Sequence, residues 1–248
     1  MSKTVDSFDF PIGRVLAGKY RIERLLGRGW EGEAYQVTEV ATGVQRAAKV
    51  FYPQRNPRDL ALRAYARKLE KLSDCSALIR YHNTDTFRHA GSRISFVLSE
   101  LVRGDILENF VKRRRGRRLP AFEALYLLRA VARGVAQIHQ RGEYHGDLHD
   151  RNVLVRRRGV HFDIKLLDLF SDKAPTRARQ RDDVLDLARL LYDMVGGPRR
   201  YASQPPEIKA ICRGLRHSLI LDRFRSSADL VVHLDGFEWE GPTAGSSP

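Results

Sequence analysis

His145-Gly146-Asp147-Leu148-His149-Asp150-Arg151-Asn152, running straight into Val153-Leu154-Val155, is the stretch from which the rest of the sequence is read. An acid stands two positions before an imidazole and five before an amide, and a short apolar strand follows at once. A carboxylate in such a loop can orient and deprotonate a hydroxyl, and carboxylate and amide oxygens are suitable ligands for hard magnesium. The combination suits phosphoryl transfer, with Asp147 as base and Asn152 as metal ligand.

Three further segments extend that reading. Downstream, Leu166-Leu167-Asp168-Leu169 ends an apolar strand in an acid, suited to hold magnesium that bridges phosphates. Upstream, Gly27-x-Gly29-x-x-Gly32 lies between two strand-like runs, and glycines let backbone N–H groups approach phosphate oxygens. Dinucleotide-binding folds use the same spacing, but there a helix follows; here the pattern continues as a strand. A glycine hairpin without a ligand is the plainer alternative. On the next strand, Ala47-Ala48-Lys49-Val50 places a lysine among small apolar residues, where an unpaired ammonium is costly. Phosphates would supply one anion. Glu70, the only acid between Asp59 and Asp74, is the expected protein partner.

Periodicity predicts strands at 19–26, 33–37, 45–52 and 93–101 and one helix over 58–72 in the first part of the chain. Beyond about residue 104 the pattern turns helical: 121–141, then 183–195, 206–217 and 226–234, with short strands at 153–155 and 164–167. The expected fold class is therefore α+β, bilobal. An N-terminal extension (1–12) precedes a domain over 13–240, divided near residue 102 into a small antiparallel-sheet lobe and a helical lobe, and a small-residue tail (241–248) is expected to be disordered.

Taken in order, these segments resemble the eukaryotic-like (Hanks-type) serine/threonine protein kinases of bacteria, from about residue 13 to 234. The resemblance implies ATP and Mg2+ as cofactors, with Gly27, Gly29, Gly32, Ala34 and Ala47 around the nucleotide. It makes Lys49 the phosphate-gripping lysine and Glu70 its helix partner. Ser99, Glu100 and Val102 fall on the hinge, with the backbones of Glu100 and Val102 on adenine. Asp147, His149 and Asn152 belong to the catalytic loop, Asn152 and Asp168 are metal ligands, and Asp183 braces the catalytic-loop backbone.

The departures bear on regulation. Gly146 replaces the arginine that pairs with a phosphorylated activation loop, His149 replaces a lysine, and Phe170 stands where the magnesium-binding segment usually has glycine. Asp183 follows Asp168 by only 15 positions, and no A-P-E intervenes. The expectation is a constitutively active enzyme without phosphorylation-dependent ordering. The shortened segment keeps a small-molecule phosphotransferase of the aminoglycoside/choline-kinase type open, as does a non-catalytic pseudokinase binding module.

Composition adds a partner class. Net charge is +14, and residues 112–118 hold six cations in seven positions. A protein substrate, acidic in character, fits that charge; nucleic-acid contact is the less favoured reading, because no aromatics interleave the cations. The plain alternative is a solvated, charged loop. No apolar run reaches 18 residues, so no membrane span is expected. Cys75 and Cys212, far apart, read as free thiols of a reducing compartment. A bacterial cytoplasm is the expected location, with delivery into a host cell left open.

Overall fold

The computed structural model describes residues 5–159, 161–169 and 173–237. The N-terminal lobe is an antiparallel sheet of β1 (Val15–Leu16), β2 (Tyr20–Arg28), β3 (Gly32–Glu39), β4 (Gln45–Phe51), β5 (Tyr81–His89) and β6 (Ser92–Glu100), with α1 (Leu60–Lys71) between β4 and β5. The strand order is β1-β2-β3-β4-β6-β5. The C-terminal lobe begins with β7 (Asp105–Ile106) and α2 (Leu107–Lys112), followed by α3 (Ala121–Gln140), β8 (Val153–Arg158) and β9 (His161–Leu166). It closes with α4 (Arg177–Met194), α5 (Pro206–Cys212), α6 (His217–Arg223) and α7 (Ser227–Asp235), and β7, β8 and β9 form a second small sheet.

Each lobe has its own reason to pack. In α3 the apolar residues Leu125, Leu128, Val131, Ala132, Val135 and Ile138 recur at helical spacing and are buried, so the helix runs through the centre of the larger lobe. In the sheet, Ile22, Tyr35, Val37, Ala48, Val50, Phe96 and Leu98 bury one face. The segment expected as an N-terminal extension is partly built into that face. Phe8 and Phe10 are buried there, with ring centroids 4.9 Å apart, and Asp9 pairs with Arg28 of the glycine hairpin. The packed unit thus starts ahead of residue 13. Residues 241–248 lie outside the described residues.

The lobes are joined by specific bonds beside the hinge. Leu166 N donates to Ala77 O at 2.7 Å, and Lys165 Nζ reaches both Leu78 O (2.7 Å) and the Glu100 carboxylate (2.6 Å). Gly134 of α3 faces Ala77 so closely that an added Cβ would lie 2.6 Å from the alanine methyl. Helix α1 is likewise fixed to the larger lobe: Lys68 and Lys71 both reach Glu143, at 3.7 and 2.6 Å, just ahead of the catalytic loop. Among the described residues no helix is long and apolar enough to cross a membrane.

Several boundaries differ from the sequence pattern. β5 and α2 are additional elements, and the helix expected over 206–217 breaks at Arg213-Gly214-Leu215, all three with positive φ. Helix α4 begins at Arg177, six residues before the expected start, with the Thr176 side chain capping Arg179 N at 3.3 Å. The span between Asp168 and the next helix is therefore shorter still.

Candidate active site

The catalytic-loop stretch is held from below by one buried carboxylate. Asp183, on α4 and fully buried, accepts from His145 N and Gly146 N, both at 2.7 Å, and pairs with His139 Nε2 at 2.8 Å. Ser227 Oγ, 2.8 Å from His139 Nδ1, fixes that ring from the other side. Gly146 has φ +82°, a left-handed conformation in which a side chain is strained, and this turn lets two successive N–H groups converge on Asp183. His145 is fully buried and accepts from Asp147 N at 3.3 Å; burial holds its imidazole below the ordinary range, in the neutral form.

Above this floor, Asp147 is half exposed and faces outward. Asn152 Nδ2 donates to Asp147 O (2.8 Å) and lies 3.0 Å from Asp147 Oδ2, so the amide oxygen of Asn152 is left for another partner. Arg151 N donates to His149 Nδ1 at 3.2 Å. His149 Nε2 lies 3.1 Å from Asn152 Nδ2 and 3.6 Å from Asp147 Oδ2. The main chain brings the second acid alongside: Val153 pairs with Leu166, and Leu167 N donates to Asn152 O at 2.9 Å. Asp168 follows at once, with φ +51°, a left-handed conformation that aspartate tolerates better than most residues.

Lys49 reaches across from the smaller lobe to Asp168 Oδ1 at 3.0 Å. Its other carboxylate is not the expected one. Glu70 is exposed on the outer face of α1, and the ammonium pairs instead with Glu31 Oε2 at 2.7 Å, from the glycine hairpin itself. The reason is the helix register. The residues of α1 that turn inward are Leu62, Tyr65, Lys68 and Leu69, and Lys49 Nζ sits 4.6 Å from the centre of the Tyr65 ring. Burial opposes the charge of Lys49, but Asp168, Tyr65 and Glu31 together more than offset it, so the lysine holds its proton more tightly than usual. Two carboxylates on one ammonium leave local negative charge, and the oxygens of Asp168 and Asn152 form a donor set suited to a hard divalent cation.

The glycines divide by task. At Gly32 an added Cβ would lie 2.0 Å from Val50 O, so close pairing of β3 with β4 alone demands glycine there. Gly29 N closes the hairpin onto Gly32 O at 2.9 Å, whereas Gly27 faces open space. Ala34 and Ala47 stand in β3 and β4, Ala34 opposite Lys49 and Ala47 opposite Ser99. Ser99 is buried at the end of β6; Glu100 follows, its carboxylate held below the usual range, despite burial, by Lys165 and Arg80 N. Val102 lies in the link to the second lobe. Trp30, exposed at the hairpin tip, stacks with Arg55 at 4.0 Å. Phe170 lies outside the described residues.

Asp186, three residues past Asp183, accepts from Leu148 N, and burial followed by Asp183, Asp182 and Asp147 pushes its carboxyl up to about 7. An unfolded aspartate titrates near 3.9, so between about pH 4 and 7 the folded chain binds a proton the unfolded chain has released. Stability therefore falls as pH rises through that window, and the cost is fully present above it. Asp186→Asn removes the charge, so it should melt above the unsubstituted protein at pH 8, by on the order of 1–3 kcal/mol, and level with it at pH 4. Thermal unfolding at both pH values checks this; equal differences at the two would contradict it.

The first three cations of the basic run pair with carboxylates. Lys112 reaches Glu108 at 2.8 Å, Arg113 pairs with Asp105, and Arg114 reaches Glu123 at 2.8 Å. Arg156 and Arg158 share Asp163, at 3.0 and 2.6 Å. These pairs fit a charged, solvated surface more directly than a groove for an anionic polymer.

The sequence matches the protein kinase domain family over residues 20–198. It is 31% identical over 157 residues to CBL-interacting protein kinase 30 of Oryza sativa subsp. japonica, covering 62% of this chain and 31% of that protein. It is 30% identical over 160 residues to the serine/threonine-protein kinase pkn2 of Myxococcus xanthus, covering 64% and 18%. With the serine/threonine-protein kinase PknA of Mycobacterium tuberculosis identity is 26% over 219 residues, covering 77% and 50%. The chain thus spans half or less of the length of these relatives. In three dimensions it resembles the crystal structure of the Mycobacterium tuberculosis PknI kinase domain, with a TM-score of 0.65 at 24% identity, covering 91% of this chain and 98% of that one. That likeness bears on the fold, the bilobal α+β arrangement expected from the sequence. With the family match covering most of the chain, the chain belongs to the protein kinase family.

Proposed function

We propose that this chain is an ATP- and magnesium-dependent kinase that transfers the γ-phosphate to serine or threonine hydroxyls of a protein, and does so without prior phosphorylation of itself. The observation that carries the reading is the convergence of three separate segments on one exposed mouth: Lys49 on Asp168 at 3.0 Å, and Asn152 on Asp147 at 3.0 Å, with Leu167 N bonded to Asn152 O between them. Asp147 accepts the proton of the attacking hydroxyl, and Asn152 fixes the orientation of its carboxylate. Magnesium, when bound, neutralises charge on the transferred phosphoryl group; Asp168 and the amide oxygen of Asn152 are the residues that would hold it. Lys49 grips phosphate oxygens, and the His149 ring stands at the same mouth.

Independence from phosphorylation is supported by the way the described residues that follow Asp168 are held. Leu169 is buried, Tyr144 OH donates to Lys173 O at 2.9 Å, and Thr176 opens α4 three residues later. Gly146 offers no cation to a phosphate. The net charge of +14 favours acidic substrates. The test is incubation with ATP and magnesium after phosphatase treatment, with mass spectrometry of protein and small-molecule fractions. Phosphoserine or phosphothreonine peptides at an undiminished rate are expected. Label confined to a small molecule would favour the aminoglycoside/choline-kinase type of acceptor, and loss of turnover after phosphatase would refute independence from phosphorylation.

A further inference from the structure

Protein kinases commonly orient the phosphate-gripping lysine with a glutamate on the helix of the smaller lobe. Here that helix offers no carboxylate to Lys49. Its inward positions are Leu62, Tyr65, Lys68 and Leu69, and Lys68 is itself committed toward Glu143. The carboxylate beside Lys49 comes from Glu31, between the second and third glycines of the hairpin.

Glu31 is not a loose side chain on a loose loop. Its carbonyl accepts from Tyr52 N at 2.9 Å, just past the end of β4. The next residue, Gly32, is pressed so tightly against Val50 that only glycine fits, and Gly29 N closes the turn on Gly32 O. The hairpin tip is thus bonded to the same strand that carries Lys49. The carboxylate and the ammonium are both mostly buried, 28% and 18% exposed, so their attraction is screened less than a surface pair's. Tyr65 closes the other side, its ring 4.6 Å from Nζ.

We propose that Glu31 is the positioning residue for Lys49, replacing the helix glutamate, with Tyr65 as the second wall of the lysine's seat. The proposal rests on the kinase reading above. It makes the glycine hairpin both the cover of the nucleotide and the support of the lysine that grips it. Helix α1 is released from orienting the lysine, and its bonds through Lys68 and Lys71 to Glu143 serve to fix the lobes.

The test compares Glu31→Gln, Glu31→Asp and Glu70→Gln with the unsubstituted chain in two assays: steady-state kinetics at varied ATP, and titration with a fluorescent ATP analogue plus magnesium. For E31Q the proposal expects kcat/KM for ATP to fall by about tenfold to a hundredfold, with weakened analogue binding and an unchanged melting temperature. E31D, keeping the charge on a shorter stem, should recover part of the loss, whereas E70Q should behave as the unsubstituted chain. Tighter analogue binding by E31Q would overturn the proposal, showing Glu31 to compete with phosphate for Lys49. So would a loss in E70Q equal to that in E31Q. An inactive unsubstituted chain would count against the kinase reading, and the binding titration would still decide on Glu31.

Discussion

Asp147→Asn is expected to lower kcat by about 10²–10⁴-fold while leaving the melting temperature and nucleotide affinity nearly unchanged. The side chain is 55% exposed and its carboxylate contributes little to packing, so removal of its charge should not unfold the loop. What is lost is the proton acceptor. An amide has the same shape and can still take the hydrogen bond from Asn152, but it cannot accept the proton of the attacking hydroxyl. Steady-state kinetics with thermal unfolding of both proteins checks the separation. An effect confined to KM, or a fall in stability of the same size as the fall in rate, would remove Asp147 from the role of base.

Asp183→Ala is expected to have the largest effect on stability. Three donors converge on this carboxylate, which is wholly buried beneath the catalytic loop. Truncation leaves two backbone N–H groups and an imidazole without an acceptor in a site closed to water, at a cost of about 3–5 kcal/mol. For a chain of this size that lowers the melting temperature by roughly 10 °C. Asp183→Asn should recover only part, because one amide face presents N–H groups to N–H groups. Activity should fall with both, since Gly146 and Asp147 lose the anchor that sets the loop. Asp183→Ala melting within a degree of the unsubstituted chain would show that the brace is not structural.

The candidate catalytic loop was legible as a unit because it is contiguous in sequence. Asp147, His149 and Asn152 lie within six residues, and their mutual geometry follows from one turn. Asp183 was legible only through the resemblance, which implied a brace for the catalytic-loop backbone, and its buried seat against the loop matches that expectation. Glu70 is the only acid between Asp59 and Asp74, but that says nothing of its helix face. At 100° per residue, Glu70 lies about 140° from Tyr65, about 80° from Leu62 and about 100° from Leu69, off the edge of that buried stripe, so the amphipathic pattern already argued against it. Glu31 carried no such signal. Its approach to Lys49 depends on how a hairpin tip folds back over the next strand, a matter of tertiary geometry. β5 was missed because it is the edge of the sheet, where polar residues such as His82, Asn83 and Thr84 are tolerated on both faces. The anchoring of Phe8 and Phe10 was likewise invisible, since two aromatics in a polar run show no period.

The central claim is that this mouth moves a phosphoryl group from ATP to protein, with Asp147 as base. It is tested most directly by incubating the unsubstituted chain and Asp147→Asn with γ-labelled ATP and a mixed acceptor protein, each with magnesium and with excess chelator. Label on protein serine or threonine is expected only for the unsubstituted chain with magnesium. Equal labelling by Asp147→Asn, or labelling unaffected by the chelator, would contradict it.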